Sequence, residues 1–376
     1  MFLAIRELRF ARLRFALVGA VVALIAVLMV MLSGLSVGLV RDGVSGLQNL
    51  PVTSFAFAHG VQHDSAFSRS VVDTSAVETW RAQPNVADVA PFGNTLINGR
   101  TDGGVEVDLA LFGVTADSFL APAVSEGERL GAPDGIVVSP TALDAGLKIG
   151  DVVTVDRVGT RMKVVGVTTQ QDTFGHVDVA YAPLALWQEV KSGTAPGQAV
   201  PEKAKQEITA VAVRAESGKT VDLAAGDAAA GTESLTLSES YGASPGYTAE
   251  TTTLQLIQGF LYVISALVAG AFFAVWAIQR KQEVAVLRAL GASTGWVLRD
   301  ALAQAFLLLF AAVAAGVAVG VALGAYVSGS GAPFALSASS IVAASVGLVV
   351  LGLLGAAAAV LRVTFTDPAT ALGGNR

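Results

Sequence analysis

The sequence predicts a membrane all-α protein of four transmembrane helices with a mixed α/β extracellular domain inserted after the first. Three observations carry that prediction. Of 376 residues, 53% are hydrophobic and only 14% charged, where a soluble domain carries about 25% charged residues. Four apolar segments, 15–40, 254–278, 301–327 and 341–361, reach the roughly 20 residues a helix needs to cross about 30 Å of hydrocarbon. Between the first and second lie residues 41–253, of ordinary soluble composition. The composition excludes a disordered chain and a nucleic-acid binder with a basic surface. With no cysteine, it also excludes a disulfide-built scaffold, a thiolate nucleophile and a Cys-ligated zinc.

Charge gives the orientation. The N-terminal 14 residues, the 279–300 loop and the tail beyond 361 hold 10 basic and 4 acidic residues, a balance of +6. Residues 41–253 hold 14 basic and 26 acidic ones, a balance of −12, which together make the overall −6. Lys and Arg in short flanks mark the cytoplasmic side. The short loops and both termini are therefore expected in the cytoplasm of a multi-pass plasma-membrane protein, with the acidic domain outside. The expected domains are 1–40, an N-terminal segment and first span; 41–253, the extracellular domain and its stalk; and 254–376, a three-helix permease domain with a cytoplasmic coupling helix and tail.

Taken in order, residues 1–10 set Phe2, Ile5 and Leu8 against Arg6 and Arg9. That pattern suits a short amphipathic helix on the inner membrane face, or a continuation of the first span. The apolar run that follows exceeds the 7–15 residues of a signal-peptide core, so it reads as an uncleaved anchor. In the inserted domain, 105–115 and 135–139 read as strands, 140–147 as a short helix, and 151–157 with 162–168 as a hairpin. The stretch 191–207 reads as a polar loop. Residues 217–247, rich in Ala, Gly, Ser and Thr, read as a stalk or flexible return to the membrane.

The most informative segment is 277–294, AIQRKQEVAVLRALGAST. It begins where the second span ends and sets basic residues against an apolar stripe of Val284, Ala285, Leu287 and Leu290. Gly291 can end that helix before the third span. Such a helix suits contact with a cytosolic partner; the plainer alternative is an ordinary positive-inside loop. Arg280, Glu283 and the LRALGAS run at 287–293 resemble the signature of the FtsX/MacB-type permeases, the four-helix membrane subunits of ABC transporters. The tail DPATAL (367–372), the run GIVVSPTALDAGLKIGDVVTVDRVGTRMKVVGV (135–167) and the order of spans resemble that family too. The resemblance implies a paired or homodimeric permease served by cytosolic ATPase subunits that hold ATP and Mg. Arg280, Glu283, Arg288 and Leu290 would then meet the ATPase. The chain has no G-x-x-x-x-G-K-[ST] phosphate loop, so it is expected to be no enzyme itself and to carry no intrinsic cofactor.

Within that family, LAIRELRFARLRFALVG (3–19), LSGLSVGL (32–39) and the second span resemble haem-exporting permeases of HrtB type. That implies haem as transported substrate, taken from the membrane lipids rather than from water. Glu250 is the last acidic residue before the second span, beside Tyr247 and Thr251–Thr253. A carboxylate so near lipid is costly unless hydrated, paired or functional. It admits two readings: a helix N-cap, or an axial oxygen ligand to haem iron, which accepts anionic oxygen. Tyr247, Thr251, Phe260, Gly34 and Gly38 are the other candidates for the haem site, with Tyr262 as a further lining residue. Gly34 and Gly38 also suit a dimer face; Gly316, Gly320 and Gly324 suit packing within the chain. His59 and His63, four apart but around Gly60, read as surface residues. His176 lies far from the spans in sequence and is not expected to ligate haem. Two other classes remain open: an exporter of antimicrobial peptide, lipid or lipoprotein, and a non-transporting mechanotransmitter acting on a cell-wall enzyme.

Overall fold

The computed structural model describes residues 12–279, 282, 286, 291–329 and 332–364. The N-terminal amphipathic segment, Arg280, Glu283, Arg288, Leu290 and the 367–372 motif lie outside them. In chain order the main helices are α1 (Arg12–Gln48), α2 (Ser75–Arg81), α3 (Pro140–Asp144), α4 (Leu184–Ser192), α5 (Leu223–Ala230), α6 (Tyr247–Gln279), α7 (Thr294–Ser328) and α8 (Ala338–Thr364). The strands are β1 (Ser54–Ala58), β2 (Val72–Asp73), β3 (Val86–Thr101), β4 (Glu106–Val114), β5 (Val124–Gly127), β6 (Gly135–Val138) and β7 (Val152–Val155), then β8 (Arg161–Thr168), β9 (Thr173–Phe174), β10 (Val177–Pro183), β11 (Glu207–Ile208), β12 (Ala210–Ala215) and β13 (Thr232–Thr236). The chain divides into two compact units, Leu39–Glu250 and the residues flanking it.

In the membrane unit, α1, α6, α7 and α8 are each long and apolar enough to cross a membrane. Phe15, Val22, Ile25 and Met29 of α1 are buried with Ala269 and Phe273 of α6, Ala305 and Leu309 of α7, and Leu348 and Ala356 of α8. Lipid offers helices little hydrophobic reason to associate, so close approach at small residues supplies the packing. A Cβ at Gly316 would strike the Ala23 carbonyl of α1, one at Gly320 would press on Val30, and one at Gly355 of α8 would strike the Ala266 carbonyl of α6.

Gly34 and Gly38 correct the expectation. Within this chain they form neither an open substrate surface nor a free dimer face. The Phe334 ring sits where a Gly34 side chain would be, and the Pro333 carbonyl where a Gly38 side chain would be. The Ala335 N–H donates to the Gly34 carbonyl at 3.0 Å. The uncharged connection between α7 and α8 packs into the notch these glycines open.

The Leu39–Glu250 unit is a mixed sheet of order β13-β1-β12-β3-β4-β10-β6-β8-β5, with β7 joining β3 and β8, and β9 joining β10. β4–β10 and β6–β8 run parallel. A cluster of edge-to-face rings, Phe55, Phe57, Phe67, Phe92, Phe112, Phe174 and Tyr181, fills its main core. Val44 and Leu47 at the end of α1 belong to the same core.

The 217–247 stretch is no stalk. Asp222 caps α5 by accepting from the Ala225 N–H, Gly231 ends it with φ +66°, and Thr236 and Glu239 form a capping box. β13 completes the sheet edge on β1, from Ser54↔Thr236 to Ala58↔Thr232. The small residues that suggested flexibility serve close packing, since a Cβ at Gly226 would meet the buried Trp80 ring. The 191–207 loop likewise carries one helical turn, Glu202–Lys205.

Candidate functional site

The C-terminal part of α1 is fastened to the β9–β10 hairpin by a short ladder. The Thr173 N–H donates to Ser45 Oγ at 2.9 Å, and Thr173 Oγ1 donates to the Arg41 carbonyl at 3.2 Å. The Gly175 N–H donates to the Gly43 carbonyl at 2.9 Å, and Asn49 Nδ2 donates to Asp172 Oδ1 at 2.7 Å. Gly46 permits this approach; a Cβ there would stand 2.8 Å from Val179 Cγ2.

Gly175 and His176 are the two loop residues of the hairpin, between paired Phe174 and Val177. Both have positive φ, +59° and +66°, as a type I′ turn requires. The turn carries the imidazole between two carboxylates. His176 Nδ1 lies 2.8 Å from Asp42 Oδ2, and Nε2 lies 3.2 Å from each oxygen of Glu250. Asp42 is 134 residues from His176 in sequence and Glu250 is 74. Burial pulls the imidazole pKa down, but the Asp42 hydrogen bond and the charges of Glu250 and Asp42 outweigh it and leave it raised. An imidazolium donates to both carboxylates at once, which a neutral ring cannot do.

Glu250 lies in the first turn of α6, and its N–H bonds to the Gly246 carbonyl at 3.0 Å. It is therefore a first-turn carboxylate rather than the N-cap. Such a position gains about 0.3–1 kcal/mol from the helix dipole. Its side chain is 39% exposed, so one face remains open. Tyr247 packs edge-on to Tyr241 with ring centroids 6.3 Å apart. Thr251 follows Glu250 in the helix, and Phe260 further along is 66% exposed.

The other histidines converge elsewhere. His63 Nε2 is 2.6 Å from Glu233 Oε1, and His59 Nδ1 is 4.0 Å from Oε2, all exposed. Among the described residues no group of His, Asp and Glu is arranged to hold a metal ion by itself. In the membrane unit a groove of about 950 Å³ runs between α6 and α8, lined by Tyr262, Ala266, Gly270, Leu351, Gly355 and others, with Arg362 among them. Among its described lining residues there is no carboxylate or imidazole, and the side-chain oxygen is that of Tyr262. Sequence reasoning missed Asp42 and His176. The available signal was the Gly-His pair between two short apolar runs, a hairpin-turn dipeptide.

In the segment between α6 and α7, Gln282 and Val286 are helical and exposed. Gly291 has φ +102°, and Ser293 caps α7 by accepting from the Trp296 N–H. Ser293 thus marks the start of α7.

Comparison with known proteins follows the same division. Residues 15–231 match the MacB-like periplasmic core domain and residues 256–368 the FtsX-like permease C-terminal domain. The chain is 24% identical over 384 aligned positions, covering 99% of both chains, to a protein of Staphylococcus haemolyticus named as the permease HrtB of a hemin transport system. It is 22% identical to an uncharacterized ABC transporter permease of Mycobacterium tuberculosis, over 100% of this chain and 99% of that one. The periplasmic region of MacB from Actinobacillus actinomycetemcomitans aligns at 14% identity and TM-score 0.35, covering 52% of this chain and 94% of that one. With the core-domain match spanning more than half its length, the chain belongs to the FtsX/MacB-type family of ABC transporter permeases.

Proposed function

We propose that this chain is the permease of an ABC efflux pump that takes haem from the membrane and exports it, paired with a second copy of itself and driven by cytosolic ATPase subunits. The observation that carries the reading is Glu250, a partly exposed carboxylate in the first turn of α6, in a chain similar along its whole length to permeases named for hemin transport. Ferric haem accepts anionic oxygen as an axial ligand, and Glu250 supplies one beside Tyr247 and Thr251. Phe260, exposed on α6, offers an apolar surface to the macrocycle. ATP-driven closure of the partner subunits would push on the 279–295 segment through Arg280, Glu283, Arg288 and Leu290. That push moves the ends of α6 and α7 and expels the substrate outward, with both termini cytoplasmic and the 39–250 unit outside.

The test is an absorbance titration of hemin onto the full chain in lipid nanodiscs. Wild type is expected to bind with a shifted Soret band. Glu250→Gln is expected to lose that band position and to weaken binding by more than the roughly tenfold that loss of a ligand's supporting partner costs. Unchanged binding and spectrum in Glu250→Gln would remove Glu250 from the site.

A further inference from the structure

We infer that His176 is a positioning residue: from the tip of the β9–β10 hairpin it holds the Glu250 carboxylate in the orientation that substrate meets. The inference rests on the reading of Glu250 as the haem-binding carboxylate and gives that site a supporting residue.

A two-residue type I′ turn needs positive φ at both loop positions, and glycine or asparagine meets that need with least strain. Position 175 is glycine, but position 176 is histidine at φ +66°. Histidine enters this region more readily than most residues, yet any L side chain is strained there. A turn that departs from its easiest sequence holds its side chain for another reason.

That side chain has a defined destination. Asp42 Oδ2, 2.8 Å from Nδ1, fixes the ring plane, and Nε2 then faces both Glu250 oxygens at 3.2 Å. The turn itself cannot drift, because Gly175 and Thr173 are bonded to Gly43 and Ser45 of α1. Glutamate has three rotatable side-chain bonds, and a ligand carboxylate free to sample them binds metal more weakly than one held by an outer partner. The His176 side chain is 32% exposed and that of Glu250 39%, so the support leaves the carboxylate accessible.

The experiment uses the full chain in nanodiscs with hemin as probe. His176→Gly and His176→Asn both suit the turn and both remove the imidazole, while His176→Gln restores an N–H donor of comparable reach. The expected result is a roughly ten- to hundredfold loss of hemin affinity in the Gly and Asn variants, with a displaced Soret band and partial recovery in Gln. Added to Glu250→Gln, His176→Gly should change nothing further. If the Gly and Asn variants titrate like wild type while Glu250→Gln does not, the positioning role is wrong and the Glu250 reading stands. If Glu250→Gln itself titrates like wild type, the ligand reading falls, and the positioning role falls with it.

Discussion

Asp172 shows how single residues tie this chain together. It is 3% exposed, accepts from Asn49 Nδ2 at 2.7 Å and from the Tyr181 hydroxyl at 3.4 Å, and so joins the end of α1 to the sheet. Burial raises its pKa above the usual 3.8, and the hydrogen bonds from Asn49, Tyr181 and Thr168 lower it by less. The folded state therefore holds the Asp172 proton more tightly than the unfolded state does. Its contribution to stability is full below pH 3.8 and is lost as pH rises through the raised value. Followed by tryptophan fluorescence, the thermal midpoint of wild type relative to that of Asp172→Asn should fall as pH rises across that window. A difference that grows with pH instead would reverse the assignment. Trp187, 2% exposed, is a plainer case. It lies against Gly93 and Gly113, which have no side chains to exclude it. Trp187→Ala should lower stability by about 3–5 kcal/mol, measured by denaturant unfolding.

At the scale of elements, α5 and β13 decide whether residues 217–247 are structure or tether. Gly226→Leu would drive a side chain into the Trp80 ring, which is fully buried. It should cost about 1–3 kcal/mol and open the 217–247 segment to limited proteolysis. A segment equally cleavable in wild type would be a tether after all. The apolar helices were legible in the sequence because lipid imposes a long, simple pattern. The β4, β6 and β7–β8 elements were legible because alternation marks a half-buried strand. α5 and β13 were hidden, since their capping and edge pairing draw on Asp222, Gly231 and Thr236, residues that also compose flexible linkers. The site was half legible for a related reason. Glu250 stands out where charge is scarce, whereas Asp42 and His176 are ordinary polar residues until the β9–β10 hairpin is fastened to α1. The Gly34–Gly38 face misled because its occupant, Phe334, lies on a distant connection.

For the whole molecule, the division of charge into +6 and −12 predicts an orientation that the cysteine-free chain makes simple to test. A single cysteine at Ser192 should react with an impermeant maleimide added outside cells, and one at Asn375 only after permeabilisation. The opposite pattern would invert the topology. Coupling is the second property at this scale. On the proposed role of Glu283 in ATPase coupling, Glu283→Arg should abolish substrate-stimulated ATP hydrolysis while leaving hemin binding intact. Whether haem is the cargo is read from ATP hydrolysis by the chain reconstituted with its ATPase in liposomes, with and without hemin. Hemin should stimulate wild type and fail to stimulate Glu250→Gln. A complex indifferent to hemin but stimulated by an antimicrobial peptide, a lipid or a lipoprotein would contradict it.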